Sequence, residues 1–256
     1  MPDISPEITS EITEDSLLNG RVRLLQPDGG YRAAIDPVLL AASVPVGAGT
    51  RVLDVGVGTG AALLCLLARW AEADGTGLEV RNDHAALATR SIAVNGWQAR
   101  ARIVVGDLTA RPAPLEANTF DHVLTNPPYH GPGTRPPHPG RAGAHMESVP
   151  LADWLAFCLR MLRSRGSLCV IHRADRLDAI LAALHGKAGA VEVIPLWPKA
   201  GQPARRVIVR ALKGAKSPAI LHPGLVLHHM DGTYTDAAQA VLRDGASLDP
   251  DPAAGR

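Results

Sequence analysis

Residues 51–55 are a short apolar run that leads directly into Gly56-Val57-Gly58-Thr59-Gly60. Residues 60–72 follow, with Leu63, Leu64, Leu66, Leu67 and Trp70 spread over a broad apolar face. A strand, a turn with glycine at every second position and a helix, in that order, leave few folds open. Glycine lets the backbone turn tightly and approach a ligand closely. The alternation then continues. Residues 76–80 read as a strand, and Asp83 is placed to cap a helix over residues 85–95 that stops at Gly96. Residues 101–105 and 120–125 read as strands, 151–163 as an amphipathic helix, 167–172 as a strand and 176–187 as a helix. Two strands, 191–197 and 205–212, then come in succession around a turn at 198–203, and residues 225–229 and a short helix ending at Leu242 close the fold. Helix also opens at Asp36-Pro37, with proline at the first helical position. The pattern predicts an α/β fold: a doubly wound, mostly parallel sheet with an antiparallel pair at one end. Such sheets bind ligands at the carboxyl ends of strands near the topological switch point. Asp54, Glu79, Asp107 and Asn126 stand at those ends.

The flanks read differently. Residues 1–20 are acidic and without periodicity, which predicts a flexible tail or a loosely docked arm, and residues 244–256 read as a second tail. A single domain over residues 21–243 is expected between them. The net charge of +1 names no partner, but its distribution does more. Between Glu192 and Asp231 stand Lys199, Arg205, Arg206, Arg210, Lys213 and Lys216 without an acid, a candidate face for a polyanion as well as an ordinary solvated strand pair. Residues 130–148 are rich in glycine and proline and carry Arg135 and Arg141, a length of loop that points to function or disorder. Cys65, Cys158 and Cys169 are odd in number and without metal-ligand spacing, so buried free thiols are expected and no metal site is assigned. The amino terminus lacks a basic, apolar targeting pattern and no run approaches ~18 apolar residues, so a cytoplasmic protein with no membrane partner is expected.

Two motifs carry chemistry. Glu79 follows Gly60 by 19 residues at the end of the next strand, where a carboxylate can accept the hydroxyls of a ribose. That placement would also suit a nicotinamide dinucleotide, but the spacing is GxGxG and not GxGxxG. The other motif is Asn126-Pro127-Pro128-Tyr129, immediately after a strand and about 70 residues beyond the glycine turn. Two prolines remove two backbone donors and stiffen the loop. An amide oxygen, free carbonyls and an aromatic face remain, a set suited to a planar group bearing an –NH2 donor. Bland readings stand beside each: the glycines as a plain turn, Glu79 as a surface residue, Asp107 as a turn cap, the NPPY segment as a rigid turn with a packed tyrosine.

Together these motifs resemble class I S-adenosylmethionine-dependent methyltransferases that act on an amino nitrogen. Residues 30–40, 53–60, 126–129, Arg141-Ala142-Gly143-Ala144-His145-Met146-Glu147, His172-Arg173-Ala174-Asp175-Arg176-Leu177 and Asp231-Gly232-Thr233-Tyr234-Thr235 narrow this. They resemble the bacterial tRNA1(Val) adenine-N6-methyltransferase family over residues 20–243. The resemblance implies a Rossmann-like, seven-stranded methyltransferase sheet, S-adenosyl-L-methionine as cofactor and RNA, most simply tRNA, as partner. It implies cofactor contacts at Arg32, Asp54, Gly56, Gly58, Gly60, Glu79, Asp107 and Asn126, with Asp107 on the adenine amino group and Gln26 or Arg32 near the methionine carboxylate. Asn126, Pro127, Pro128 and Tyr129 become the catalytic turn, with the target amine on Asn126 and the base stacked on Tyr129. Val57 departs from the family, where a smaller residue between the glycines is commoner, without being expected to abolish binding. Other acceptors share the turn: a glutamine amide in a release factor, or adenine in DNA. The missing helical amino-terminal domain and target-recognition domain argue against those, and an intact Asn126 argues against a non-catalytic binding protein.

Overall fold

The acids near the amino terminus are used in structure. In the computed structural model, which describes residues 11–28, 35–110, 115–129 and 149–248, β1 (Ile12–Leu17) pairs antiparallel with β2 (Val22–Pro27). Leu18, Asn19 and Gly20 turn the corner with φ of 51°, 52° and 88°. Asn-Gly is a strong hairpin signal, and it overrides the reading of residues 12–17 as tail. Glu14 pairs with Arg23 across the hairpin at 2.7 Å, and the Gln26 amide donates to Asp15 at 2.5 Å. The outer edge of β2 docks on the third helix: Leu25 N–H donates to Ser91 Oγ, and Arg23 exchanges two bonds with the Asn95 amide.

The large sheet runs β5 (Ala101–Val105), β4 (Asp74–Glu79), β3 (Arg51–Val55), β6 (Phe120–Thr125), β7 (Leu162–Arg173), β9 (Arg206–Lys213), β8 (Ala188–Lys199). Only β9 runs against its neighbours. These seven strands match the expected sheet, and β9 inserts between β7 and β8 where the two successive strands were read as a terminal pair. Two short strands, β10 (Ile220–Leu221) and β11 (Leu225–His228), add to β8 in parallel, so the sheet has nine strands in all.

Alternation along the strands sorts the core into two layers. Cys169, Ile171, Ile194 and Ile208 meet α1 (Asp36–Ala42) and α2 (Ala61–Arg69) on one face, where α3 (Asn82–Val94) also packs through Ile92. Leu168, Val170, Val207 and Val209 meet α4 (Leu151–Met161) and α5 (Leu177–Leu184) on the other. All three cysteines lie in these layers, reduced, with burial pushing the Cys65 and Cys169 thiols up to about 12. Asp83 does not cap α3 through its side chain; it binds the Arg81 guanidinium at 2.6 Å. After α6 (Asp236–Gln239) and a wide turn at Ala240–Asp244, the chain does not leave the body. Leu248 is buried and its N–H donates to Ala42 O, while Arg69 donates to Ala246 O and Val241 O. Residues 244–248 are therefore docked, against their reading as the start of a tail. Among the described residues no helix is long and apolar enough to cross a membrane.

Candidate active site

β3, at the centre, is flanked by β4 on one side and β6 on the other, and the chain's order in the sheet reverses there. The turns leaving the carboxyl ends of β3, β4, β5 and β6 therefore converge. Gly56, Gly58 and Gly60 all have positive φ (74°, 57° and 102°), a region in which a side chain is strained. A Cβ on Gly58 would meet nothing within 4 Å, so the turn faces open space. Val57 points the other way. It is buried against Gly77 of β4, where a Cβ would lie 2.8 Å from a Val57 methyl. Glycine at 77 makes the room that valine at 57 needs.

Glu79 is 3 % exposed and holds this turn from the next strand. Its Oε2 accepts from Gly58 N–H at 2.9 Å, and Oε1 accepts from Val80 and Arg81 N–H. A carboxylate offers about four acceptor positions, so most of this one is already used by backbone. Burial raises the carboxyl's pKa against those three bonds, which lower it. Asp54 lies beside it, fully enclosed. Burial pushes its carboxyl up to about 7; the Leu63 N–H at the start of α2 opposes this and the charge of Glu79 adds to it. Asp54 Oδ2 is buried without a hydrogen-bond partner among the described residues.

Beyond Gly106, Asp107 Oδ1 accepts from both the N–H and the hydroxyl of Thr109, at 2.7 Å each. The turn-cap role is real, yet Asp107 also lines a narrow cleft, open to solvent, with Val55, Gly56, Leu78, Val80, Leu108 and Trp154. This apolar slot with a carboxylate at its rim suits a flat heterocycle. Trp154 was not singled out in the sequence as more than part of an amphipathic helix. Its indole N–H donates to Thr125 Oγ1 at 2.8 Å, and the Thr125 hydroxyl donates to Val55 O. These bonds fix the end of β6 just where Asn126 begins.

Asn126 Oδ1 is buried and accepts no hydrogen bond among the described residues. Two unpaired buried acceptors, Asp54 Oδ2 and Asn126 Oδ1, thus stand at the ends of adjacent strands. Pro127 is buried behind the turn. Tyr129 is held from three sides. Its hydroxyl donates to Asp36 Oδ2 at 2.5 Å, the Arg206 guanidinium lies 4.6 Å from its ring centroid, and His172 meets its ring nearly edge-on at 5.1 Å. Arg206 also binds Asp36 Oδ2, at 2.9 Å. His172 accepts from Arg173 N–H at Nδ1, which puts its proton on Nε2, and burial with nearby arginines drives its pKa down to about 4. One face of the Tyr129 ring is thus covered by Arg206.

The expected set is brought together with two exceptions. Gln26 is spent on the hairpin, and Arg32 lies outside the described residues, as do Arg135 and Arg141. Asp36, His172 and Arg206 join the site unannounced. Arg206 is separated from Asp36 by 170 positions; the sequence marked Arg206 only as one of a run of basic residues, and Asp36 and His172 only as a helix start and a strand end within stretches that carry the resemblance. The basic segment splits. Arg206 pairs with Arg173 at the site end of the sheet, and Lys213 with Ala188 at the far end. Arg210 is committed to Glu192, and Lys213 to Asn118 and Leu162 O. The segment is not one face.

Residues 34–193 match the methyltransferase small domain family. The chain is 30 % identical over 212 residues to a tRNA1(Val) (adenine(37)-N6)-methyltransferase of Aeromonas hydrophila, covering 80 % of this chain and 86 % of that protein. It is 29 % identical to a protein of the same description from Shewanella amazonensis, covering 84 % and 91 %. Among solved structures, it is similar to a predicted O-methyltransferase from Agrobacterium tumefaciens, with a TM-score of 0.70 and 26 % identity over 83 % of this chain and 98 % of that one.

Proposed function

The chain belongs to the tRNA1(Val) (adenine(37)-N6)-methyltransferase family, built on the methyltransferase small domain, and we propose that it methylates the exocyclic amine of an adenine in tRNA, in the cytoplasm. It is an S-adenosylmethionine-dependent methyltransferase. The cofactor fits the residues present. Asp54 Oδ2 lacks the donor that a cationic ammonium group would provide, Glu79 offers its remaining acceptor position to a ribose hydroxyl, and the slot beside Asp107 takes the adenine. Gly56, Gly58 and Gly60 leave backbone in reach of it. The bound cofactor supplies a methyl group on a sulfonium.

The observation that carries the acceptor assignment is the buried, unpaired Asn126 Oδ1. An adenine amine is a poor nucleophile because its lone pair is delocalised into the ring. Acceptors at Asn126 Oδ1 and the Pro127 carbonyl would engage both N–H bonds and turn the lone pair outward. They would also stabilise positive charge as it develops on nitrogen. The methylated ammonium is acidic and releases its proton to solvent without a strong base. An amide oxygen is too weak a base to take a proton from a hydroxyl, so this site favours nitrogen over the oxygen acceptor attributed to the Agrobacterium relative. Tyr129, oriented by Asp36 and backed by Arg206, would stack on the base, worth about 1–3 kcal/mol.

Transfer of labelled methyl to tRNA, DNA and release factor, measured side by side with the full chain, tests the reading. Incorporation into tRNA is expected. Incorporation into release factor alone would assign the turn to a glutamine amide instead.

A further inference from the structure

The strand register places a row of cations at one edge of the sheet. β9 runs against both neighbours, so Arg206 sits opposite Arg173 on β7 and opposite Leu196 on β8. Three residues on, Lys199 ends β8 and faces His228 of β11. Arg173, Arg206, Arg205 and Lys199 therefore share the carboxyl edge of the parallel strands, and Arg176 follows β7 in the next turn. Lys187 and Lys216 belong to the opposite edge, about 20–25 Å away along the eight residues of β9.

This row starts at the acceptor turn. Arg206 lies over Tyr129, and β7, β9 and β8 lead outward from there over about 10–15 Å. The acids along it are engaged: Asp36 by Arg206, Asp175 by Arg173, and Asp231 by the N–H and hydroxyl of Thr233. Arg176 and Arg205 are exposed and have no acid partner among the described residues. The Lys199 ammonium donates to the Met230 carbonyl and lies near enough to Asp231 to help lower that carboxyl's pKa. Exposed cations that outnumber the acids beside them, strung along an edge, attract a chain of phosphates and not a compact anion.

We propose that the RNA strand leading away from the target base crosses this carboxyl edge, with Arg176, Arg205 and Lys199 against its phosphates. The proposal rests on the tRNA reading above. It replaces the contiguous basic face expected from sequence with a path assembled from three strands.

Binding of a tRNA transcript to the full chain, titrated over a range of salt, tests it. The double variant R176A/R205A should bind about ten-fold or more weakly near 0.15 M salt, with a salt slope lower by about 1 to 2. Its S-adenosylmethionine affinity and melting temperature should match the parent, which separates contact from folding. K187A/K216A should bind like the parent. A parent that methylates tRNA alongside an R176A/R205A variant with parental affinity and slope would overturn the path alone, as would a loss confined to K187A/K216A. A parent that methylates release factor or DNA but not tRNA would overturn the reading beneath it.

Discussion

Asn126 leaves an acceptor in the interior with nothing to accept. A buried polar atom in that state is destabilising by about 1–3 kcal/mol, which makes it a poor structural choice and a sound one for holding a ligand. Asn126→Ala should therefore leave the melting temperature unchanged or raised. Methyl transfer at saturating cofactor should fall by a factor of about 10²–10³, the usual loss for one positioned polar group at developing charge. A variant that loses stability and activity together would mark Asn126 as structural. Asp54 gives a pH signature. Its ordinary value of 3.8 is raised to about 7 by burial, so the folded cofactor-free chain binds a proton that the unfolded chain has lost. The stability linked to that proton is complete below pH about 4 and declines as pH rises to about 7. Thermal unfolding across that window should show the decline, and Asp54→Asn should flatten it. Glu79→Ala should weaken cofactor binding in calorimetry, at a charge-assisted hydrogen bond's worth of about 1.5–3 kcal/mol. Because Glu79 also ties down Gly58, that variant should melt lower as well.

Among the elements, strands bounded by breakers were legible. Residues 101–105 and 120–125 read correctly because glycine or an Asn-Pro-Pro step ends each of them. The hairpin at β1 was missed because its acids look like a solvated tail until Arg23 and Gln26 arrive across the turn. Asn19-Gly20 was the available signal. The far end was misread for a similar reason: one leucine, Leu248, and carbonyls held by Arg69 dock a stretch that has no periodicity. Burial pushes the Arg69 pKa down to about 10, consistent with a guanidinium committed to the interior. Truncation after residue 248 should leave the denaturation midpoint unchanged. Truncation after residue 243 should lower stability by about 1–3 kcal/mol, from a buried leucine and charge-assisted bonds to carbonyls. Equal midpoints for the two truncations would show that the docked segment contributes nothing.

At the scale of the whole molecule, the candidate site residues among the described ones gather at one edge of one sheet. The motifs on β3 to β6 could be read in sequence because each is local to a strand end. The Asp36–Tyr129–Arg206 contact and the cation row could not, because both depend on β9 turning back between β7 and β8. A net charge of +1 conceals that arrangement. The central question is which atom receives the methyl group. The direct measurement is mass spectrometry of nucleosides from tRNA of a strain lacking this gene, before and after treatment with the purified chain and S-adenosylmethionine. Transfer to an amino nitrogen held by Asn126 requires that N6-methyladenosine appear on treatment and that Asn126→Ala protein produce almost none in the same time. A methyl group on ribose or on a ring nitrogen, or N6-methyladenosine formed equally by the Asn126→Ala protein, would contradict it.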